Sequence, residues 1–126
     1  MPYLVDTDVL VDVSRKNEAA IEFLEQLDSS WSLSIITALE LIVGARDKKE
    51  VNQIDQLTAV YSTIPLTTEI GHSAYNLLKQ FAKSHGLRVF DSLIAATAIE
   101  EELTLLSKNK KHFHMIKNLR LEVPTY

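Results

Sequence analysis

The sequence of 126 residues predicts an α/β fold with three layers, α/β/α, around a central parallel sheet of four to five strands. Two observations predict it. Short apolar runs of strand length recur between longer segments whose apolar residues repeat at helical spacing, which is the pattern of an open parallel sheet covered on both faces. Glycine and proline occur only three times each, too few punctuators for an all-β chain with many turns. With no repeat, low-complexity segment or linker in view, the length predicts a single domain spanning residues 1–126.

The elements follow in order. Tyr3-Leu4-Val5 reads as a short buried strand, and Asp8 is placed to cap a helix through Val9 to Ser14. Asn17 is the expected N-cap of a second helix carrying Ala20, Leu24 and Leu27 on one face. Trp31 to Ile35 reads as a strand, followed by a helix from Thr37 to about Asp47 and another bearing Val51, Ile54, Leu57 and Tyr61. Ser62 to Leu66 is a weaker strand. Thr67 or Thr68 caps a long helix with Ile70, Ala74, Leu77, Leu78 and Phe81, which Gly86 closes. Asp91 caps the next helix, with Ile94, Ala95, Ala98 and Ile99 on its apolar face. Leu103 to Ser107 is a fourth strand, and Leu119 to Val123 a candidate fifth.

Composition narrows the function. No stretch approaches the ~20 uncharged residues of a membrane span, so no membrane association is expected. The first apolar run has no Lys or Arg before it and is broken by Asp6 and Asp8, unlike a secretory signal or transit peptide. The absence of cysteine excludes disulfides, thiolate zinc sites and thiol catalysis. A cytoplasmic location is the expectation. The net charge of −4 does not announce a nucleic-acid binder. One basic run, Lys108, Lys110, Lys111, Lys117 and Arg120, has no acid within it, and by itself it reads as solvated surface.

The chemistry lies in the acids. Asp6 and Asp8 interrupt the first apolar run, Glu40 stands among Leu39, Leu41, Ile42 and Val43, and Asp91 precedes Ser92-Leu93-Ile94-Ala95-Ala96. Carboxylates in apolar surroundings are costly unless paired or metal-bound, and several together repel one another. In an open parallel sheet, ligands bind beyond the carboxyl ends of the strands where the strand order switches, and Asp6, Glu40 and Asp91 can all reach such a crevice. Hard oxygen ligands of this kind suit Mg²⁺ or Mn²⁺. Each acid also has a structural alternative. Taken singly, Asp91 and Asp8 read as N-caps, Asp6 as the start of an Asx-turn, and Asp12 as solvent-facing. Glu40 is the hardest to explain without a ligand, since no backbone donor lies near it in mid-helix.

Four segments in order carry a resemblance. Leu4-Val5-Asp6-Thr7-Asp8, Thr37-Ala38-Leu39-Glu40-Leu41, Phe90-Asp91-Ser92-Leu93-Ile94-Ala95-Ala96-Thr97-Ala98 and Leu105-Leu106-Ser107-Lys108-Asn109-Lys110-Lys111-His112-Phe113 resemble the motifs of PIN-domain ribonucleases. Length and motif order are similar to the VapC toxins of toxin–antitoxin pairs. The resemblance implies a PIN-like fold and a metal-dependent endoribonuclease leaving a 5′-phosphate and a 3′-hydroxyl. Asp6, Glu40 and Asp91 would be the catalytic residues and ligands of Mg²⁺ or Mn²⁺, and the metal would orient and deprotonate the attacking water. Thr7, Ser107 and Asn109 would position the site. Lys108, Lys110 and Lys111 become candidate phosphate contacts.

Asn109 stands where many PIN domains carry a fourth acid. It and Asp8 would coordinate weakly or through water, which favours one well-bound cation over two. His112 is expected to pack or contact substrate beside Phe113, being a poor partner for Mg²⁺. Further implications are an RNA substrate, a homodimer, and a cognate VapB-type antitoxin whose C-terminal segment covers the crevice. Two alternatives stay open. Asp6-Thr7-Asp8-Val9-Leu10 is similar to the opening motif of haloacid-dehalogenase phosphatases, and Asn109 keeps alive a non-catalytic PIN-like RNA- or protein-binding module.

Overall fold

The computed structural model describes residues 2–27 and 30–126. Its five strands are β1 (Tyr3–Val5), β2 (Trp31–Ser34), β3 (Ser62–Ile64), β4 (Thr104–Leu106) and β5 (Leu121–Glu122). All pair in parallel, in the order β3-β2-β1-β4-β5. The expected three-layer α/β/α architecture is what the chain adopts. From β1 the chain builds outward through β2 and β3, then returns to place β4 on the other side of β1. The strand order therefore switches between β1 and β4, and the registers Leu4 with Leu105 and Val5 with Leu106 bring the ends of these strands level.

Alternation along the strands sorts the core onto two faces. Leu4 and Leu105 face α5 (Thr68–His85) and α6 (Val89–Glu100), packing with Ile70, Ala74, Leu77, Ile94 and Ala98. Val5, Leu33 and Leu106 face α1 (Thr7–Ser14), α2 (Glu18–Glu25), α3 (Ile35–Gly44) and α4 (Lys48–Val60), meeting Val9, Leu10, Leu24, Leu41 and Ile54. A one-turn helix, α7 (Lys110–Phe113), follows β4.

Local chemistry sets the boundaries and corrects several expectations. Helix α1 begins at Thr7, not Val9, because Asp6 is its N-cap and accepts from the Thr7 N–H; Asp8 sits inside the first turn. The helix after β2 begins at Ile35, two residues before the expected Thr37. Ser34 ends the strand and caps that helix by accepting from the Ile36 N–H at 3.0 Å. Ile35 and Ile36 look strand-like by composition, and the serine cap overrides them. This helix stops at Gly44 rather than near Asp47, and Asp47 instead caps α4. Asn17 and Thr67 cap α2 and α5 as expected. Gly86 closes α5 in the left-handed region at φ 70°, where a glycine carries little penalty. Asp91 does not cap α6: Arg88 occupies that position without a side-chain bond, which places Asp91 in the first turn.

The basic segment after β4 is more than solvated surface. Phe113, Met115, Ile116 and Leu119 are buried among its cations and close the core below α6. Among the described residues, no helix is long and apolar enough to cross a membrane.

Candidate active site

The switch between β1 and β4 opens into a cleft of about 290 Å³ lined by Asp6, Thr7, Asp8, Glu40, Arg88, Phe90, Asp91, Asn109 and His112. All three expected ligands face it, from three separate parts of the fold. Asp6 follows β1 directly. Glu40 comes from the second turn of α3, and Asp91 from the first turn of α6, where the free N–H end of the helix favours negative charge.

Asp6 is the most constrained. It is 4% exposed, its Oδ1 accepts from the Thr7 N–H at 2.7 Å, and its Oδ2 accepts from the Ser107 hydroxyl at 2.7 Å. The Ser107 contact follows from the register, since Ser107 comes one residue after Leu106, the partner of Val5. Burial, then the charge of Asp8, push the Asp6 carboxyl up to about 7, against the two hydrogen bonds. Burial also raises Asp8, although the N–H groups of Lys108 and Val9 oppose it. Asp91 is raised by burial as well, while the nearby His112 and Arg88 act in the other direction.

Glu40 is not the core carboxylate the sequence predicts. Its neighbours Leu39, Ile42 and Val43 are 56%, 41% and 86% exposed, so the apolar run around it is largely a surface feature. A side-chain donor answers the missing backbone donor: the Thr7 hydroxyl lies 2.6 Å from Glu40 Oε1 and 3.0 Å from the buried Thr37 hydroxyl. Thr7 thus holds the second acid in place while its own N–H holds the first.

Among the described residues, no three acidic or histidine side chains stand together as a ready set of metal ligands. The carboxylates share a cleft while each is held by its own partner: Asp6 by Ser107, Glu40 by Thr7, and Asp91 by His112 at 3.2 Å. Mutual repulsion favours that spacing. The donor set is nevertheless of the kind a hard divalent cation takes, because it is all oxygen, and its buried member Asp6 carries the charge of Asp8 beside it.

Other residues depart from expectation. Asp12 is half-buried and partnered rather than free in solvent: it binds Lys108 Nζ and the Tyr126 hydroxyl, at 2.5 Å and 2.7 Å. Lys108 pairs with Asp12 and lies over the Tyr126 ring at 5.8 Å, and it is not among the residues that line the cleft. The cleft wall from this segment consists of Asn109 and His112 rather than Lys110 and Lys111, which are exposed. Asn109 also anchors its turn, its N–H donating to Ser107 Oγ at 3.0 Å. Sequence reasoning missed Arg88 and Phe90 as cleft residues. A cation at a helix N-cap, where it cannot cap, and a phenylalanine directly before an acid were the available signals.

Fold and site together define a class: a parallel α/β/α protein with an acidic cleft at its topological switch point. The PIN domain family matches residues 3–118, and the chain belongs to that family, among the VapC-type ribonuclease toxins. It is 33% identical over 120 residues to Ribonuclease VapC10 of Mycobacterium tuberculosis, covering 93% of this chain and 90% of that one. It is 33% identical over 122 residues to Ribonuclease VapC1 of Methanocaldococcus jannaschii, covering 95% and 85%. Among solved structures it is similar to VapBC2 from Rickettsia felis bound to a DNA fragment from the promoter, with a TM-score of 0.83, 27% identity and 98% of each chain covered. No observation favours the phosphatase or the non-catalytic module.

Proposed function

We propose that this chain is an endoribonuclease that hydrolyses RNA phosphodiester bonds with Mg²⁺ or Mn²⁺ and is controlled by a cognate VapB-type antitoxin. The observation that carries the reading is the convergence of Asp6, Glu40 and Asp91 on one cleft, with Asp6 raised to about 7 by burial and by Asp8. A cation there removes the charge conflict and supplies the attraction for a phosphate that the carboxylates alone would repel.

Asp6, Glu40 and Asp91 would hold the ion, with Asp8 and Asn109 in reach of its waters. When bound, a divalent ion activates water and neutralises charge on the phosphoryl oxygens. The chain's own residues supply the rest. Ser107 and the Thr7 N–H fix both oxygens of Asp6, and the Thr7 hydroxyl orients Glu40. His112 steers Asp91. Arg88 adds a fixed positive charge on the cleft wall for the substrate backbone. The antitoxin is proposed to cover this cleft with a C-terminal segment, as the similarity to a VapBC complex supports, and the active form is proposed to be a homodimer.

Purified protein is expected to cleave RNA only with Mg²⁺ or Mn²⁺, and to lose activity at least ~100-fold in Asp6→Ala and in Glu40→Ala. Full cleavage in EDTA, or by either variant, refutes the assignment.

A further inference from the structure

We infer that RNA leaving the acidic cleft runs over α7 toward the end of α5, with its flanking phosphates held by Lys110 and Lys111. The inference rests on the ribonuclease reading above. The chain has two long stretches without an acid, residues 70–90 and residues 103–121. Together they hold 8 of the 13 Lys and Arg residues and none of the 17 Asp and Glu residues. The rest, with 5 cations against 17 acids, carries −12, and the net charge of −4 hides a sharp segregation.

The fold brings the two stretches together. Leu87 and Phe113, one from each, are buried in the same core cluster. The ring of His85, in the last turn of α5, lies 6.2 Å between centroids from that of His114, which ends α7. Within α7, His112 lines the cleft, while Lys110 and Lys111 are exposed and lie outside its wall. Among the described residues, neither ammonium group pairs with a carboxylate. Lys108, by contrast, is already engaged by Asp12.

A cleft of about 290 Å³ is at the small end of ligand sites, so a strand of RNA must continue beyond it. Electrostatics picks the direction. Past α1 the strand would meet Asp8 and Asp12, the latter already holding its lysine. Past α3 it would meet Glu40 and the apolar Leu39 and Val43. Past His112 it meets two uncompensated cations at adjacent positions. A lysine against a backbone phosphate releases condensed counterions and fixes the strand without reading its sequence, as a basic track beside a cleavage cleft requires. The contiguity of these lysines with the cleft commits the face to the substrate strand rather than to an acidic protein segment.

The test is the salt dependence of binding to labelled dodecauridylate, by fluorescence anisotropy of the full chain in Ca²⁺ buffer over a range of KCl concentrations. Each phosphate contact on a single strand contributes ~0.7 to the slope of log affinity against log salt. The double variant Lys110→Gln, Lys111→Gln is therefore expected to have a slope shallower by ~1.4 and to bind about 25-fold more weakly near ~0.1 M KCl. The control pair Lys48→Gln, Lys49→Gln, in the first turn of α4, keeps the parent slope. An unchanged slope in the Lys110 and Lys111 variant, an equal change in the control, or a parent that does not bind the RNA overturns the inference. So does a variant that keeps the RNA slope but loses affinity for labelled decaglutamate, which would assign the face to an acidic protein partner. Failure of the parent to cleave any RNA with Mg²⁺ counts against the ribonuclease reading, whereas the slope judges the track alone.

Discussion

Asp6→Asn tests the electrostatics of the cleft without changing its shape. The Asp6 carboxyl is almost fully buried and is raised from 3.8 to about 7, with burial and the charge of Asp8 as the chief causes. The folded state therefore holds a proton that the unfolded chain releases, and metal-free stability falls as pH rises from about 4 through about 7. A rise of about three pH units, at ~1.36 kcal/mol per unit, corresponds to ~4 kcal/mol lost across that window. Asparagine carries no charge to desolvate, and its amide oxygen can still accept from the Thr7 N–H. Asp6→Asn is thus expected to be close to the parent in stability near pH 4 and more stable by ~3–5 kcal/mol at pH 8, in urea titrations with EDTA. Adding Mg²⁺ should narrow the gap, because a ligand at 100 times its Kd stabilises the parent by ~2.7 kcal/mol and the variant much less. A difference between parent and variant that stays flat from pH 4 to pH 8 would refute the reasoning, since an unstrained, solvated Asp6 would give that result.

Three further substitutions test a hydrogen bond, an ion pair and a backbone turn. Thr7→Val removes the hydroxyl that holds Glu40 and touches Thr37, so Mg²⁺ affinity measured by calorimetry should fall ~10–100-fold while the thermal midpoint shifts by only a few degrees. Lys108→Met breaks the exposed pair with Asp12 and is expected to cost at most ~1 kcal/mol in chemical denaturation, with RNA cleavage within about twofold of the parent; a tenfold loss in kcat/KM would restore Lys108 as a substrate contact. Gly86→Ala places a Cβ on a residue at φ 70°, and unfolding experiments should show a loss of ~1 kcal/mol with no change in metal binding.

Much of the site was legible from the chain. A carboxylate directly after the first strand, a second on the helix after the next strand, and a third in the opening turn of a late helix can meet in a parallel sheet only beyond its carboxyl ends, and they do line one cleft. The strands and helices were equally legible, because apolar period and capping residues are local properties. Boundaries failed where two local signals competed: Ile35 and Ile36 favour a strand, while Ser34 caps a helix over the same residues. Asp91 was misread as a cap for a related reason, since nothing local shows that Arg88 holds that position without a bond.

The sequence by itself determined the fold class, the family and the three acids, because periodicity, motif order and residue type are written along the chain. Only the tertiary structure decided how those acids are held. Whether Glu40 is buried or poised beside an exposed apolar wall, and whether Lys108 meets substrate or Asp12, depends on residues tens of positions apart. Thr7 and Glu40 meet across 33 residues, Lys108 and Asp12 across 96, and Ser107 and Asp6 across 101. Such pairs are set by strand register and helix packing, which no window of local sequence contains.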